Sequence, residues 1–413
     1  MEITRYHAGW VVPIAGRPIR DGWVDVDGGV VTAIGRSAGG GSARRRDVDL
    51  RACAILPGLV NAHVHLELSC LRDQVQPASS MPLWVRRMTA RRAAGAPDQA
   101  AIERAIAEAR RCGTALLGDI ANTPASVAPL RAAGMPAVVF NELLGFDEPN
   151  PSALVARACA RCESQTEPNP RLRLAAHAPY SVSPALFTAL RTAAEERRLW
   201  PLSVHLAESR EELEFLRAGT GAWRDLLEQL GRWDPDWTAG TASPVGYLEN
   251  LGWLGPGVLL VHGVHLTGVE LGRIAAAGAT LVTCPRSNRW TGAGAPPVDR
   301  FHAAGLRLAV GTDSLASVAD LNLFAELAEM RRLAPAAPAA ALLRAATLSG
   351  AEALGYGATH GAITAGRRAA LIAVAGAGQA DDVEEYLLGG VGPQDITWID
   401  SAGEPGECRQ TSP

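Results

Sequence analysis

From Ala54 to about Gly355 the sequence repeats one unit: a short apolar run ending in polar residues, then a stretch with helical spacing. The runs are Ile55–His65, Ala115–Asn122, Ala137–Glu142, Arg171–His177, Leu202–Glu208, Val258–His262, Thr280–Cys284 and Leu306–Asp313. Helix ends are written between them. Asp98 can cap a helix through Ile102, Ala105, Ile106 and Ala109 that stops near Gly113. Ser183-Pro184 is a cap followed by proline at the first helical position, and Thr267 with Glu270 has capping-box spacing, with Gly278 as the stop. Eight strands alternating with helices over roughly 250 residues predict an α/β fold, a (β/α)8 TIM barrel. A doubly wound sheet would show the same alternation. Polar residues at the C-terminal ends of most strands favour the barrel, which keeps its sites there.

The chain ends read differently. Trp23-Val24-Asp25-Val26, Asp27-Gly28-Gly29 and Val30–Ile34 form a hairpin signature, and Ser37–Arg46 reads as a loop. After Gly355 the pattern is β-like again, through Ala369–Val374 and Ile396–Asp400, and the last ten residues read as a loose tail. Each end is too small to bury a core alone. The expectation is residues 1–53 and 356–413 joined in one small β-sandwich, with 54–355 as the barrel.

Of 413 residues 47% are apolar, enough for a sizeable core and too many for wholesale disorder. The 39 basic and 43 acidic side chains give a net charge of −4 without a basic block, which argues against nucleic acid as a partner. No apolar run approaches the ~18–20 residues of a membrane span, and Met1-Glu2-Ile3-Thr4-Arg5 does not open a signal peptide. A cytoplasmic protein without a membrane partner is expected. All 39 basic residues are arginine, which excludes a Schiff-base lysine, a P-loop lysine and a carboxylated lysine bridging two metals. The seven cysteines, an odd number, read as reduced thiols. Cys159 and Cys162 form a lone CxxC in an Ala/Arg-rich helical stretch, which reads as two small helical residues and not as a zinc knuckle.

Five of the nine histidines sit at strand ends: His63 and His65, His177, His205 and His262. Side chains two apart on a strand point the same way with α-carbons roughly 6.6 Å apart, so His63 and His65 can reach one ion at ~2.1 Å. Asp313 ends the eighth run. An isolated core histidine needs no such neighbours, so the gathering points to a metal site.

His63-Val64-His65 after Pro57-Gly58-Leu59-Val60, His205 with Glu208, His262, and Asp313 within Gly-Thr-Asp-Ser together resemble the amidohydrolase superfamily. The resemblance covers nearly the whole chain, including Gly361-Ala362-Ile363 and Gly366, although Ala369-Ala370-Leu371 departs from the usual Ala-Asp-Leu. The His205–Glu208 spacing is similar to the deaminase and chlorohydrolase branch. Within it, His-Val-His-Leu-Glu-Leu-Ser, His-Ala-Pro-Tyr-Ser-Val-Ser-Pro and Cys-Pro-Arg-Ser-Asn most resemble the 6-aminodeoxyfutalosine deaminases of menaquinone biosynthesis.

The resemblance implies that His63, His65, His205 and Asp313 hold one divalent metal ion, zinc before iron or manganese, with water in the open position. Two-metal relatives commonly bridge their ions with a carboxylated lysine on the fourth strand, where His177 stands here. Zinc lowers the pKa of bound water from 15.7 to roughly 7. The implied roles are Asp313 as proton acceptor, His262 as hydrogen-bond partner of the hydroxide, and Glu208 as proton shuttle to ring nitrogen and leaving amine. By itself Glu208 could equally cap the following helix beside Glu211 and Glu212. His177 either polarises a ring heteroatom of the substrate or is structural, and Glu67 either binds substrate or orients the first ligands. Cys284-Pro285-Arg286-Ser287-Asn288 looks like the family's substrate loop, which puts Arg286, Ser287 and Asn288 at the substrate. Arg286 and Arg289 would then bind an anionic group, or be ordinary surface arginines.

Trp84, Trp223, Trp233, Trp237 and Trp290 fall in loops that would rim the barrel mouth, either to stack on a flat ring or to pack the loops down. The Gly219–Tyr247 insertion could act as a lid. His65-Leu66-Glu67 with Cys159 and Cys162 echoes the cytidine-type deaminase signature, but Ala158 stands where that signature has proline. The expected reaction is hydrolytic deamination of an aminated heteroaromatic ring, adenine-nucleoside-like, with that small molecule and water as partners. Another purine or pterin deaminase, a chlorohydrolase or a cyclic-amide hydrolase is the rival. A barrel that binds without catalysis has no reason to keep His63, His65, His205, Glu208, His262 and Asp313 together. A homodimer is left open.

Overall fold

The computed structural model describes residues 3–36, 45–92, 98–165, 167–240 and 243–399. Four strands come first: β1 (Ile3–Val11), β2 (Ile19–Asp27), β3 (Val30–Arg36) and β4 (Arg45–Pro57). Eight follow, each separated from the next by helix or turn: β5 (Leu59–Val64), β6 (Thr114–Ala121), β7 (Ala137–Leu143), β8 (Arg171–Ala176), β9 (Leu202–Leu206), β10 (Val258–His262), β11 (Thr280–Thr283) and β12 (Arg307–Val310). The chain ends with β13 (Leu371–Ala375) and β14 (Ile396–Ile399).

Strands β5 to β12 lie side by side in chain order in one sheet, and the registers from β6 to β12 are parallel. After β12 the chain returns to β5, where the Asp313 amide donates to the His63 carbonyl at 3.0 Å. Gly311 permits that approach, since a Cβ there would meet the His63 carbonyl oxygen at 2.6 Å. The fold is the expected (β/α)8 barrel. Every residue of β5, β6, β7, β9, β10 and β11 is buried. Parallel strands covered on both faces read as unbroken apolar runs, which is why the sequence displayed them.

The chain ends supply the second, mixed sheet, in the order β14-β13-β4-β1-β2-β3. Its core holds Tyr6, Val11, Val24, Val31, Ile55 and Leu371 among others. Asp27 pairs with Val30, so Gly28 and Gly29 alone make the hairpin turn, both with positive φ as that tight turn requires. The run Ile55–His65, expected as one strand, is two. Residues through Pro57 pair antiparallel with β13, and β5 begins only at Leu59. Gly58 separates them, its amide donating to the Ala370 carbonyl at 2.8 Å. Of the expected Ser37–Arg46 loop, Arg45 and Arg46 belong to β4 and the rest lies outside the described residues, as do the last ten residues.

The chain divides into two compact units, Ala62–Ala107 with Leu117–Leu321, and Met1–Asn61 with Glu108–Leu116 and Asn322–Pro413. The helix signals hold. Asp98 accepts from the Ala100 amide at the start of the helix Gln99–Arg111, Ser183 caps Pro184–Arg197, and Thr267 and Glu270 form a capping box ended by left-handed Gly278. Cys159 and Cys162 are buried in the helix Pro151–Glu163, where burial pushes the Cys162 thiol up to about 12. Among the described residues no helix is long and apolar enough to cross a membrane.

Candidate active site

The strand ends bring the histidines together. The ring centroids of His63 and His65 are 4.9 Å apart, those of His63 and His205 are 5.0 Å apart, and one nitrogen of each of the three lies within 4.8 Å of the others. Asp313 Oδ1 is 3.5 Å from His65 Nε2 and 3.9 Å from His63 Nε2. Two donors about 2.1 Å from one ion at a tetrahedral angle sit roughly 3.4 Å apart, so this donor set fits a zinc-sized divalent cation. Its charge states fit as well. Burial pulls His65 and His205 down to about 4, and burial with the neighbouring imidazoles pulls His63 well below its ordinary value. Neutral imidazole is the form that binds metal. His205 Nδ1 donates to the His177 carbonyl at 2.7 Å, which leaves Nε2 for an ion. Burial raises the Asp313 carboxyl, opposed by the Ser287 hydroxyl at 2.6 Å and the Ser314 amide at 2.8 Å, which both donate to it.

Glu208 and His262 complete the floor. Glu208 Oε2 lies 3.4 Å from His262 Nε2, and both side chains are buried. Burial, with the Asp313 and Glu212 charges, lifts the Glu208 carboxyl well above the usual range. Ala207, His262 and Asp313 all have left-handed φ, at 50°, 79° and 62°. Such strain in residues with a Cβ costs about 1–3 kcal/mol each and gathers where function demands a particular aim. Above the floor opens a cavity of about 790 Å³. His65, His177, His205, Glu208, His262 and Asp313 line it, together with Trp84, Met88, Phe146, Trp223 and Leu227.

The sequence profile of the amidohydrolase family matches residues 54–394. The chain belongs to the amidohydrolase family. It is 32% identical over 384 residues to a 5-methylthioadenosine/S-adenosylhomocysteine deaminase of Syntrophobacter fumaroxidans, covering 87% of this chain and 81% of that one. It is 34% identical over 321 residues to the aminodeoxyfutalosine deaminase of Deinococcus radiodurans, covering 74% of each. The crystal structure of an adenosine deaminase from Xanthomonas campestris with bound zinc superposes with a TM-score of 0.80 at 29% identity, covering 97% of this chain and 92% of that one. This amidohydrolase is thus a hydrolytic enzyme acting on carbon–nitrogen bonds.

Not every residue expected at the substrate of this amidohydrolase is there. Arg286 turns away from the cavity to Asp320, bonding its carboxylate at 2.9 Å and its carbonyl at 3.0 Å, and Arg289 is exposed. Ser287 and Asn288 lie behind the site. Ser287 donates to Asp313, and Asn288 Nδ2 lies 2.9 Å from His262 Nδ1. Glu67 is buried and accepts from the Asn122 amide at 3.1 Å and from the Thr123 amide and hydroxyl, which ties it to the loop after β6. His177 does line the cavity, with Nδ1 against Ser181 Oγ at 2.5 Å and burial drawing it down to about 4.

Three buried acids of the amidohydrolase went unmarked. Glu142 ends β7 and lines the cavity; Asn122 Nδ2 donates to its Oε2 at 2.8 Å, and its Oε1 lies 3.7 Å from His205 Nδ1. Its signal, a carboxylate closing an apolar run, was the one that marked Asp313. Asp119 accepts from the Leu66 amide at 2.9 Å, and burial lifts it to about 7. Glu212 accepts from the amides of Ala207 and Glu208. The tryptophans divide between the two expected uses. Trp84 and Trp223 line the cavity, Trp233 and Trp237 stack against Phe146 and Phe215, and Trp290 donates to the Val75 carbonyl. From the Gly219–Tyr247 insertion, the helix Ala222–Gln229 contributes Trp223, Leu226 and Leu227 to the cavity wall.

Proposed function

We propose that the chain is a metal-dependent hydrolytic deaminase of adenosine-like substrates, with 6-aminodeoxyfutalosine, in menaquinone biosynthesis, as the first candidate. The observation that carries the reading is the buried Glu208 carboxyl, its proton affinity raised by burial, beside a cluster of imidazoles and Asp313 at the foot of one cavity. Displacing an amine from an aromatic carbon needs a group that protonates a ring nitrogen as water adds, then regains a proton originating from that water and passes it to the departing amine. A carboxyl whose proton affinity burial has raised suits that relay. A single divalent ion on His63, His65, His205 and Asp313, zinc in the first instance, supplies a water acidic enough to attack near neutral pH. Asp313 takes the proton from the attacking water, and His262 orients it. His177, neutral and on the cavity wall, offers Nε2 to a ring heteroatom. The cavity exceeds what a purine ring fills, and the apolar wall of Met81, Trp84, Met88 and Leu227 suits a bulky aromatic or aliphatic 5′-substituent. Arg86 and Arg92, also on the wall, stand where a carboxylate on that substituent would be met.

The test offers zinc-loaded protein 6-aminodeoxyfutalosine, S-adenosylhomocysteine, 5-methylthioadenosine, adenosine and guanine and measures ammonia. Release at a kcat/KM of ~10⁴ M⁻¹s⁻¹ or more identifies the substrate. Turnover of methylthioadenosine or S-adenosylhomocysteine in preference to 6-aminodeoxyfutalosine keeps the deaminase and replaces the candidate. No ammonia from any of them refutes the deaminase reading and leaves ring-amide opening and dechlorination.

A further inference from the structure

The Glu208 carboxyl must meet a substrate atom, yet it stands just beyond the end of β9, where regular pairing has stopped and the Ala207 carbonyl accepts from the His265 amide at 2.9 Å. Ala207, before it, has φ 50°, a conformation costing a residue with a Cβ about 1–2 kcal/mol. Something outside the strand holds this turn. Glu212 Oε1 accepts from the Ala207 amide at 2.8 Å, and Oε2 accepts from the Glu208 amide at 3.1 Å. The Glu212 side chain is fully buried.

This is not ordinary helix capping. Ser209 is the N-cap of the helix Arg210–Ala218, its Oγ accepting from the Glu212 amide at 3.2 Å. In a capping box the acid three residues on reaches back to the amide of the cap itself. The same chain shows that arrangement at Thr267, where Glu270 Oε2 accepts from the Thr267 amide at 2.9 Å. Glu212 occupies the equivalent position but reaches past Ser209 to the two residues before it. The clamp is tied in turn to the cavity wall. Trp223 Nε1 donates to Ser209 Oγ at 3.1 Å, and the Trp223 ring stacks on Tyr180 with centroids 3.9 Å apart.

We propose that Glu212 is the positioning residue of Glu208, its carboxyl group holding the two amides of the turn that aims the acid at the reacting atoms. The assignment of Glu208 as that acid rests on the proposed deaminase reading. The clamp itself does not.

The experiment compares Glu212→Gln with Glu270→Gln, the same change at the ordinary capping box. A glutamine can accept from one amide, but its NH2 group then faces the other donor. Hydrogen exchange of the zinc-loaded protein reads the clamp without any substrate. Ala207 and Glu208 amides should exchange at least tenfold faster in Glu212→Gln and at the wild-type rate in Glu270→Gln. With a turned-over substrate, kcat of Glu212→Gln should fall about 10²-fold, the scale of a misplaced catalytic group, while KM and zinc content stay within about threefold. Unchanged exchange overturns the clamp; faster exchange with unchanged kcat overturns its role in aiming Glu208. If Glu212→Gln does not fold, Ser209→Ala decides, since it frees the Glu212 amide and the Trp223 donor and leaves the carboxylate in place. It should lower kcat by a smaller factor, and a wild-type kcat overturns the proposal.

Discussion

His65 Nε2 lies 3.5 Å from Asp313 Oδ1, although 248 positions separate the two along the chain. The contact exists because the barrel brings the end of β12 beside β5, where the Asp313 amide also bonds the His63 carbonyl. Backbone closure and ligand assembly are therefore one event. His65→Ala should keep the fold and reduce zinc content from about one per chain to a small fraction, read by elemental analysis after gel filtration. Retention of a full equivalent would remove His65 from the ligand set.

The ion should also stabilise the fold. Binding to the native state alone adds about 2.7 kcal/mol when free ion stands at 100 times Kd. Chelation should lower the thermal midpoint by several degrees, and added zinc should restore it. A midpoint indifferent to both would mean that the donor set does not hold zinc.

Much of this site was legible because barrel strands advertise their ends. An apolar run closing in His205, His262 or Asp313 states both the strand and the side chain at its tip. The direction of Arg286 is not legible, because its rotational phase in the short helix Pro285–Thr291 depends on where that helix starts. The phase in the structure turns Ser287 and Asn288 inward and Arg286 toward Asp320. Glu212 was hidden for another reason. Its spacing from Ser209 reads as helix capping, and only the left-handed turn at Ala207 redirects it.

Arg286→Gln accordingly should change little. Its partner Asp320 is half exposed, and such ion pairs contribute about 0–1 kcal/mol. KM within twofold of wild type is expected on any substrate found, and a KM rise of tenfold or more would return Arg286 to the substrate.

Glu142 gives an opposite expectation. Its Oε1 stands 3.7 Å from the His205 nitrogen that faces away from the ion site. The His205 Nδ1 proton goes to the His177 carbonyl, so Glu142 acts on His205 through its charge alone, a smaller influence than the roughly 10- to 100-fold of a hydrogen-bonded outer-shell partner. Glu142→Gln should weaken zinc binding by about two- to tenfold in competition against a chromophoric chelator. An unchanged affinity would restrict Glu142 to the cavity wall.

Acid should destabilise the metal-free protein through the same histidines. His65, His177 and His205 are drawn down to about 4 in the fold, against 6.5 in the unfolded chain. Between those values the unfolded chain binds more protons, so stability rises with pH there and is lost as pH falls from 6.5 toward 4. Each histidine contributes up to about 1.4 kcal/mol per pH unit, less where neighbouring rings compete for one proton. Asp119, raised by burial to about 7, and Glu212, raised to about 8, take up protons in the fold over the same range and offset part of that loss. Urea midpoints are therefore compared between metal-free wild type and His177→Gln from pH 8 to 4.5. Below pH 6.5 His177→Gln should lose less stability than wild type, since it removes one of the three titrating rings while the backbone carbonyl that accepts from His205 Nδ1 stays. A difference between wild type and His177→Gln that stays constant down to pH 4.5 would mean that His177 titrates in the fold as it does in the unfolded chain, and burial could not then be what keeps that ring neutral on the cavity wall.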